Sequence, residues 1–244
     1  MLRLLRLIAG VLLLPLCVAV TLALLDTLRS IPDTGVLLSA ETRTLLAGFF
    51  LWLGMWFFLP QPFRAYVVAH ELTHAFWGAL FGARVSDLRV SERGGSVRLS
   101  RSNLLITLAP YFFPLYTILV VLLRLLAGLF LNPMPCPLLW LFFVGFTWCF
   151  HITFTLQSLM TRQPDIQEYG RIFSYAVIYL FNLAGVGLWV VCTTTASFDT
   201  LATALALHTR TVCQQINQTV LLCSRQVYAL LLPALKRLWI RPAA

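Results

Sequence analysis

The sequence predicts an all-α polytopic membrane protein, with about six transmembrane helices, a short β-hairpin after the metal-binding helix and an amphipathic C-terminal helix. Composition is the first reason. Of 244 residues, 59% are hydrophobic and 11% charged, and mean hydropathy is +0.84; soluble domains carry about 25% charged residues. The second reason is arrangement: apolar runs of spanning length alternate with short polar stretches that contain proline. The third is charge. Eighteen basic residues, nearly all arginine, outnumber nine acidic ones and give a net charge of +9. In a membrane protein this excess sits at lipid headgroups and in short loops. No nucleic-acid-binding motif accompanies it, so nucleic acid is not an expected partner. The six cysteines form no C-x-x-C pair and read as small apolar residues. The chain divides into a membrane-embedded domain over residues 1–195, with its core at about 60–185, and a tail over 196–244.

Arg3 and Arg6 precede an apolar run at 7–25. No small-x-small cleavage site follows it, so it reads as a retained first helix with its N-terminus on the cytoplasmic side. A polar loop is expected over 26–43, with Pro32 and Gly35 inside it. A second apolar run, 44–59, ends at Pro60 and Pro62. The next helix starts near Phe63 and runs to about residue 82. Residues 83–101 change character: partial alternation on both sides of Glu92-Arg93-Gly94-Gly95 predicts a β-hairpin with a glycine turn. Its arginines suit headgroups, and its exposed edge suits an extended substrate. The apolar stretch 103–131 should be kinked or broken by Pro110 and Pro114. A tight turn at Asn132-Pro133-Met134-Pro135-Cys136-Pro137 leads to a helix at 138–159 that carries His151. A polar stretch at 161–170 separates it from a helix at 171–195, where Asn182 is the polar exception. In the tail, Leu201, Leu205, Val212, Ile216, Val220, Cys223, Val227, Leu231, Leu235 and Leu238 recur at threes, fours and one seven, with Gln214, Gln215, Gln218, Arg225 and Lys236 on the other face. This predicts one long helix, bent near Pro233, that lies in the membrane interface or on a partner. Six crossings place both termini inside but put the five arginines of 83–101 outside, against the positive-inside tendency.

The chemistry concentrates at His70-Glu71-Leu72-Thr73-His74. Two residues four apart on a helix are separated by about 40° around its axis. Both imidazoles can therefore reach one metal ion, and Glu71 can face a water bound to it. Ionisable groups in an apolar helix cost roughly 3 kcal/mol each, so their presence there points to function. A catalytic zinc takes three protein ligands and keeps one position open. The motif supplies two. Candidates for the third are His151, Asp165, Glu168 and His208, with the contest between Asp165, at a helix entry after Pro164, and His151, which could equally line the cavity, hydrogen-bond to another helix or support a ligand from outside.

The motif, followed by Gly94-Gly95, Asn103-x-x-x-x-Leu108-Ala109-Pro110 and Pro164-Asp165, resembles the site-2 protease class of intramembrane zinc metalloproteases, the M50 peptidases, over about residues 60–185. The resemblance implies that Asp165 is the third ligand, from the position of an Asn-Pro-Asp-Gly or Leu-Asp-Gly motif. Here Gln163 stands before Pro164 and Ile166 follows Asp165, so neither the asparagine nor the glycine of that pattern is present. No PDZ-like or CBS-like insert is visible.

A membrane-embedded zinc endopeptidase is the function expected, with one Zn2+ per chain, Glu71 as general base, and a transmembrane or membrane-proximal segment of another protein as substrate. Asn103 and Asn182 are the polar residues expected to hold the unwound substrate. The alternative is a catalytically inactive, metal-binding scaffold of the same fold. The expected setting is multi-pass in a bacterial inner membrane.

Overall fold

The computed structural model describes residues 1–32, 39–91, 94–131 and 135–239, with side chains as far as residue 232. Gly35, the Glu92-Arg93 part of the hairpin turn, Asn132-Pro133-Met134 and the Pro233 side chain lie outside the described residues. The order is α1 (Leu2–Arg29), α2 (Ala40–Phe58), α3 (Phe63–Leu80), β1 (Val85–Ser91), β2 (Gly94–Leu99), α4 (Leu104–Leu108), a 3-10 turn (Ala109–Tyr111), α5 (Leu115–Phe130), α6 (Pro137–Met160), α7 (Pro164–Tyr169), α8 (Arg171–Thr193) and α9 (Phe198–Trp239). The protein is thus mostly helical with one small hairpin.

Local chemistry fixes the helix ends. Ser39 caps α2, its Oγ accepting from the Thr42 amide at 3.2 Å. Asn103 caps α4 in the same way, with Oδ1 accepting from the Ile106 amide at 2.9 Å. Pro164 opens α7, where a missing N–H costs nothing, and Gly170 closes it at a φ of +89° that favours glycine. Pro110 and Pro114 break the 103–131 stretch as expected: the axis turns by 84° between α4 with its 3-10 turn and α5. One boundary differs from the sequence reading. Helix α1 continues through Asp26 to Arg29, because Thr27 sits wholly buried and its hydroxyl bonds back to the Ala23 carbonyl.

Among the described residues three helices, α1, α6 and α8, are long and apolar enough to cross a membrane, and a fourth span is added if α4 and α5 form one broken crossing. This is fewer than the six expected from the sequence. Helix α2 carries Glu41 and Arg43 in its first turn, and α3 carries Arg64, His70, Glu71 and His74. Both are apolar runs shortened by charge. Exposed Leu122, Leu125, Leu126, Leu129 and Phe130 on α5 fit a membrane protein, since water-facing surfaces rarely cluster large apolar side chains in this way.

The chain forms two compact units. The second gathers Leu14–Ile31 with Gly187–Ala244, so the C-terminal part of α1 belongs with the tail. In it, His208 Nε2 donates to Asp26 Oδ2 at 2.7 Å. The first gathers Met1–Leu13 with Pro32–Val186 and contains the hairpin and the motif helix. One buried cluster there unites Leu108, Tyr111, Phe112, Ile166, Val177 and Ile178. A second unites Trp52, Cys149, Phe150 and Phe154, and Trp52 Nε1 donates across it to Thr153 Oγ1 at 2.9 Å. The hairpin strands pair antiparallel, from Val85 opposite Leu99 to Ser91 opposite Gly94. The register slips between Ser86 and Arg89, where Asp87 takes a positive φ of 51°, and Asp87 then pairs with Arg98 at 3.0 Å.

Helices α2 and α6 approach until their backbones touch. A Cβ on Gly48 would lie 2.0 Å from the Phe142 carbonyl oxygen, and one on Gly145 would lie 2.0 Å from that of Leu45. Glycine is the residue that lets membrane helices pack this closely. Gly54, on the same helix, faces open space. Gly48→Ala and Gly145→Ala should each destabilise the protein by about 1–3 kcal/mol through overpacking. Gly54→Ala should be neutral or stabilising by up to about 1 kcal/mol. Thermal unfolding of the three variants in one detergent measures the contrast.

Candidate metal centre

Helix α3 begins one residue after Pro62 and places Tyr66, His70 and His74 on one face at intervals of four. His70 Nε2 and His74 Nε2 are 3.2 Å apart. Asp165 Oδ2, from the first turn of α7, is 3.3 Å from the first and 3.4 Å from the second. These three residues form a group that could hold a metal ion. The size of the triangle supports this. With bonds of about 2.0–2.1 Å to His nitrogen and carboxylate oxygen, the edge of a tetrahedron is about 3.3–3.4 Å.

Their outer partners leave the right atoms free. His74 Nδ1 is 2.8 Å from the Ile106 carbonyl oxygen. A carbonyl only accepts, so Nδ1 carries the proton and Nε2 presents a lone pair to the centre. His70 Nδ1 is 3.2 Å from the Tyr66 hydroxyl, which is 2.6 Å from Ser158 Oγ on α6. Tyr66 can accept from His70 and donate to Ser158, and His70 Nε2 is then also a lone-pair donor. The fully buried Tyr111 donates to Asp165 Oδ2 at 3.0 Å. Burial raises the Asp165 carboxyl, and protonated His70 and His74 facing it would outweigh that and lower it; a bound cation would act in the same direction.

Glu71 is buried beside this group, 7% exposed. Strand β2 runs against it. A Cβ on Gly95 would meet Glu71 Cγ at 2.6 Å and Oε1 at 2.9 Å, so a side chain there would displace the carboxylate. The sequence reading placed Gly94 and Gly95 in the hairpin turn. They belong to β2, and at Gly95 the lack of a side chain serves close approach. His70, Glu71, His74 and Asp165 share a cavity of about 420 Å3 with Gly95, Ser96, Val97 and Leu99 of β2, and with Ser102, Thr107, Gln163 and Glu168.

The other sequence candidates fall elsewhere. His151 lies on α6 with Nε2 buried and without a hydrogen-bond partner among the described residues; it borders a void of about 20 Å3 behind His70 and is not in the ligand group. Glu168 lines the large cavity one turn beyond Asp165. His208 is engaged with Asp26. Asn103 is the α4 cap, and Asn182 Nδ2 donates to the Tyr111 and Ile178 carbonyls, both at 2.9 Å. Neither asparagine lines the cavity. Sequence reasoning missed Tyr66, Tyr111, Ser158 and the Ile106 carbonyl. Only Tyr66 left a signal, four residues before His70. No family model, curated protein or solved structure matches the chain.

The hydroxyl of Tyr111 is the outer support of the carboxylate ligand, so Tyr111→Phe should weaken divalent-metal binding by about 10–100-fold while the fold persists. Competition with a chromophoric chelator, read beside the unfolding temperature, measures both.

Proposed function

We propose that the protein is a zinc-dependent endopeptidase that cleaves transmembrane or membrane-proximal segments of other proteins. The observation that carries this reading is Glu71: a buried carboxylate, outside the ligand group, that shares one cavity with the three ligands and the edge of a β-strand. A purely metal-binding scaffold has no use for it. The two-histidine, one-carboxylate donor set matches catalytic zinc, which keeps a fourth position for water or substrate. When bound, zinc polarises a peptide carbonyl and brings the pKa of a coordinated water towards about 7.

The chain's own residues do the rest. Glu71 accepts the proton as water attacks the carbonyl carbon, and returns it to the leaving amine nitrogen. His70 and His74 are held in orientation by Tyr66 and the Ile106 carbonyl, and Asp165 by Tyr111. A helical substrate hides its carbonyls in internal hydrogen bonds and must unwind to react. Among the described residues the sheet has two strands, so β2 pairs along one side with β1, and Gly95, Ser96 and Val97 of β2 border the cavity. An extended segment added along β2 would present its carbonyl to the ligands. Asn103 and Asn182 are spent on the fold, so β2 takes the holding role in this reading. The resemblance to site-2 proteases points the same way, and the short connections fit a multi-pass protein of a bacterial inner membrane.

Glu71→Gln should keep one bound metal per chain and lower cleavage by about 10²–10⁴-fold. Metal analysis and hydrolysis of a casein probe in detergent, with a single-span reporter in proteoliposomes, give the two readouts. Bound metal in a wild type that cleaves neither probe would favour the inactive scaffold. Gly95→Ala should lower cleavage at least about 10-fold with metal retained, since a small misplacement of a catalytic group is enough for that; the same pair of assays checks it.

A further inference from the structure

We propose that Arg6, near the start of α1, is a positioning residue for the metal centre, holding α7 at the angle that brings Asp165 into the ligand triangle. The inference rests on the metal-centre reading above. The Arg6 guanidinium donates to the Glu168 carbonyl oxygen, and its carbon lies 4.7 Å from the centroid of the Tyr169 ring. Both partners are in the last turn of α7, and Glu168 lines the metal cavity.

Helix α7 has six residues, too few to persist by its own hydrogen bonds. It depends on outside anchors. Tyr111 holds Asp165 in the first turn at 3.0 Å, and Ser174 Oγ donates to the Ile166 carbonyl at 3.0 Å in the middle. The last turn has carbonyls without helical partners, and an arginine there satisfies one of them. Stacking on Tyr169 adds a cation–π contact that fixes where the guanidinium sits. Immediately afterwards the chain passes Gly170, in the positive-φ region with nothing packed where a side chain would be. Tyr169 also has a side-chain hydrogen bond with Thr107, so Arg6 and Thr107 together hold the end of α7, which joins α8 through an open glycine. Ile166 is 2% exposed and locked in the core, so it acts as a pivot, and release of the last turn tilts the first. Asp165 sits in that first turn. The triangle edges of 3.2, 3.3 and 3.4 Å leave little room for such a tilt. Helix α1 thereby contributes to the site as well as anchoring the chain, and Arg6 is more than a headgroup charge.

The test uses the full-length protein in detergent, with Co2+ as the probe. Arg6→Ala, Arg6→Lys and Arg6→Gln are compared with the wild type and with Arg3→Ala, an exposed arginine one turn earlier. The readouts are Co2+ affinity, the visible spectrum of the bound ion and the unfolding temperature. Wild type and Arg3→Ala should bind one Co2+ with the same spectrum. Arg6→Ala should bind about 10-fold more weakly with a changed spectrum, and Arg6→Lys should recover part of both. A shift in spectrum at unchanged unfolding temperature separates positioning from loss of stability. Wild-type affinity and spectrum in any folded Arg6 variant lacking the guanidinium contact, or an equal loss in Arg3→Ala, would overturn the proposal. If Arg6→Ala does not fold, Arg6→Gln decides by the same readouts. Failure of the wild type to bind Co2+ at all would remove the metal-centre reading itself, and this inference with it.

Discussion

Three lone-pair-bearing atoms, two imidazole nitrogens and one carboxylate oxygen, face one another at 3.2–3.4 Å on the inside of the protein. With both imidazoles neutral and their protons turned outward, such atoms repel unless a cation lies between them, and taking polar groups out of water without a partner costs several kcal/mol. The outer hydrogen bonds sharpen the problem. The Ile106 carbonyl claims the one proton of His74, and Tyr66 can claim that of His70, so both inner nitrogens are left as acceptors. A metal ion resolves the arrangement at once, and the triangle already has the edge length that zinc–nitrogen and zinc–oxygen bonds require.

Much of the surrounding fold is explained by the need to deliver those atoms. The 84° break after α4 releases the Ile106 carbonyl and the Tyr111 hydroxyl towards the centre, where an unbroken helix would have kept its carbonyls bonded and sent its side chains elsewhere. Asn182 supports the same break by donating to the Tyr111 carbonyl. The short α7 lies between α6 and α8 and presents Asp165 from its first turn. On the other side, the missing side chain of Gly95 lets strand β2 approach the Glu71 carboxylate closely.

What the sequence revealed follows from how local each signal is. The H-E-x-x-H spacing, the helix start at Phe63, the proline breaks and the helix entry at Pro164 depend on neighbours within a few residues, and all were readable. Asp165 was singled out by residue type and position, but its choice over His151 needed the family resemblance; the structure shows that α7 reaches the histidines and that His151 lies behind them. Tyr111 could not be found, because it meets Asp165 across 54 positions of sequence through a turn whose direction is tertiary. Asn103 and Asn182 show that a polar residue in an apolar run has two explanations, a ligand or an unsatisfied backbone group, which sequence cannot separate; in the structure both bond to backbone. Gly95 misled for a similar reason: glycine in a hairpin suggests a turn, whereas here it gives clearance. Six spans are not confirmed: the charges inside α2 and α3 lower the hydropathy of two runs that apolar length alone would count.

The most direct test is the metal content of the purified protein beside Asp165→Ala and His151→Ala. The account requires about one zinc per chain in the wild type, its loss in Asp165→Ala and its retention in His151→Ala. Full retention in Asp165→Ala, or loss in His151→Ala with the fold intact, would contradict the ligand triangle on which the rest depends.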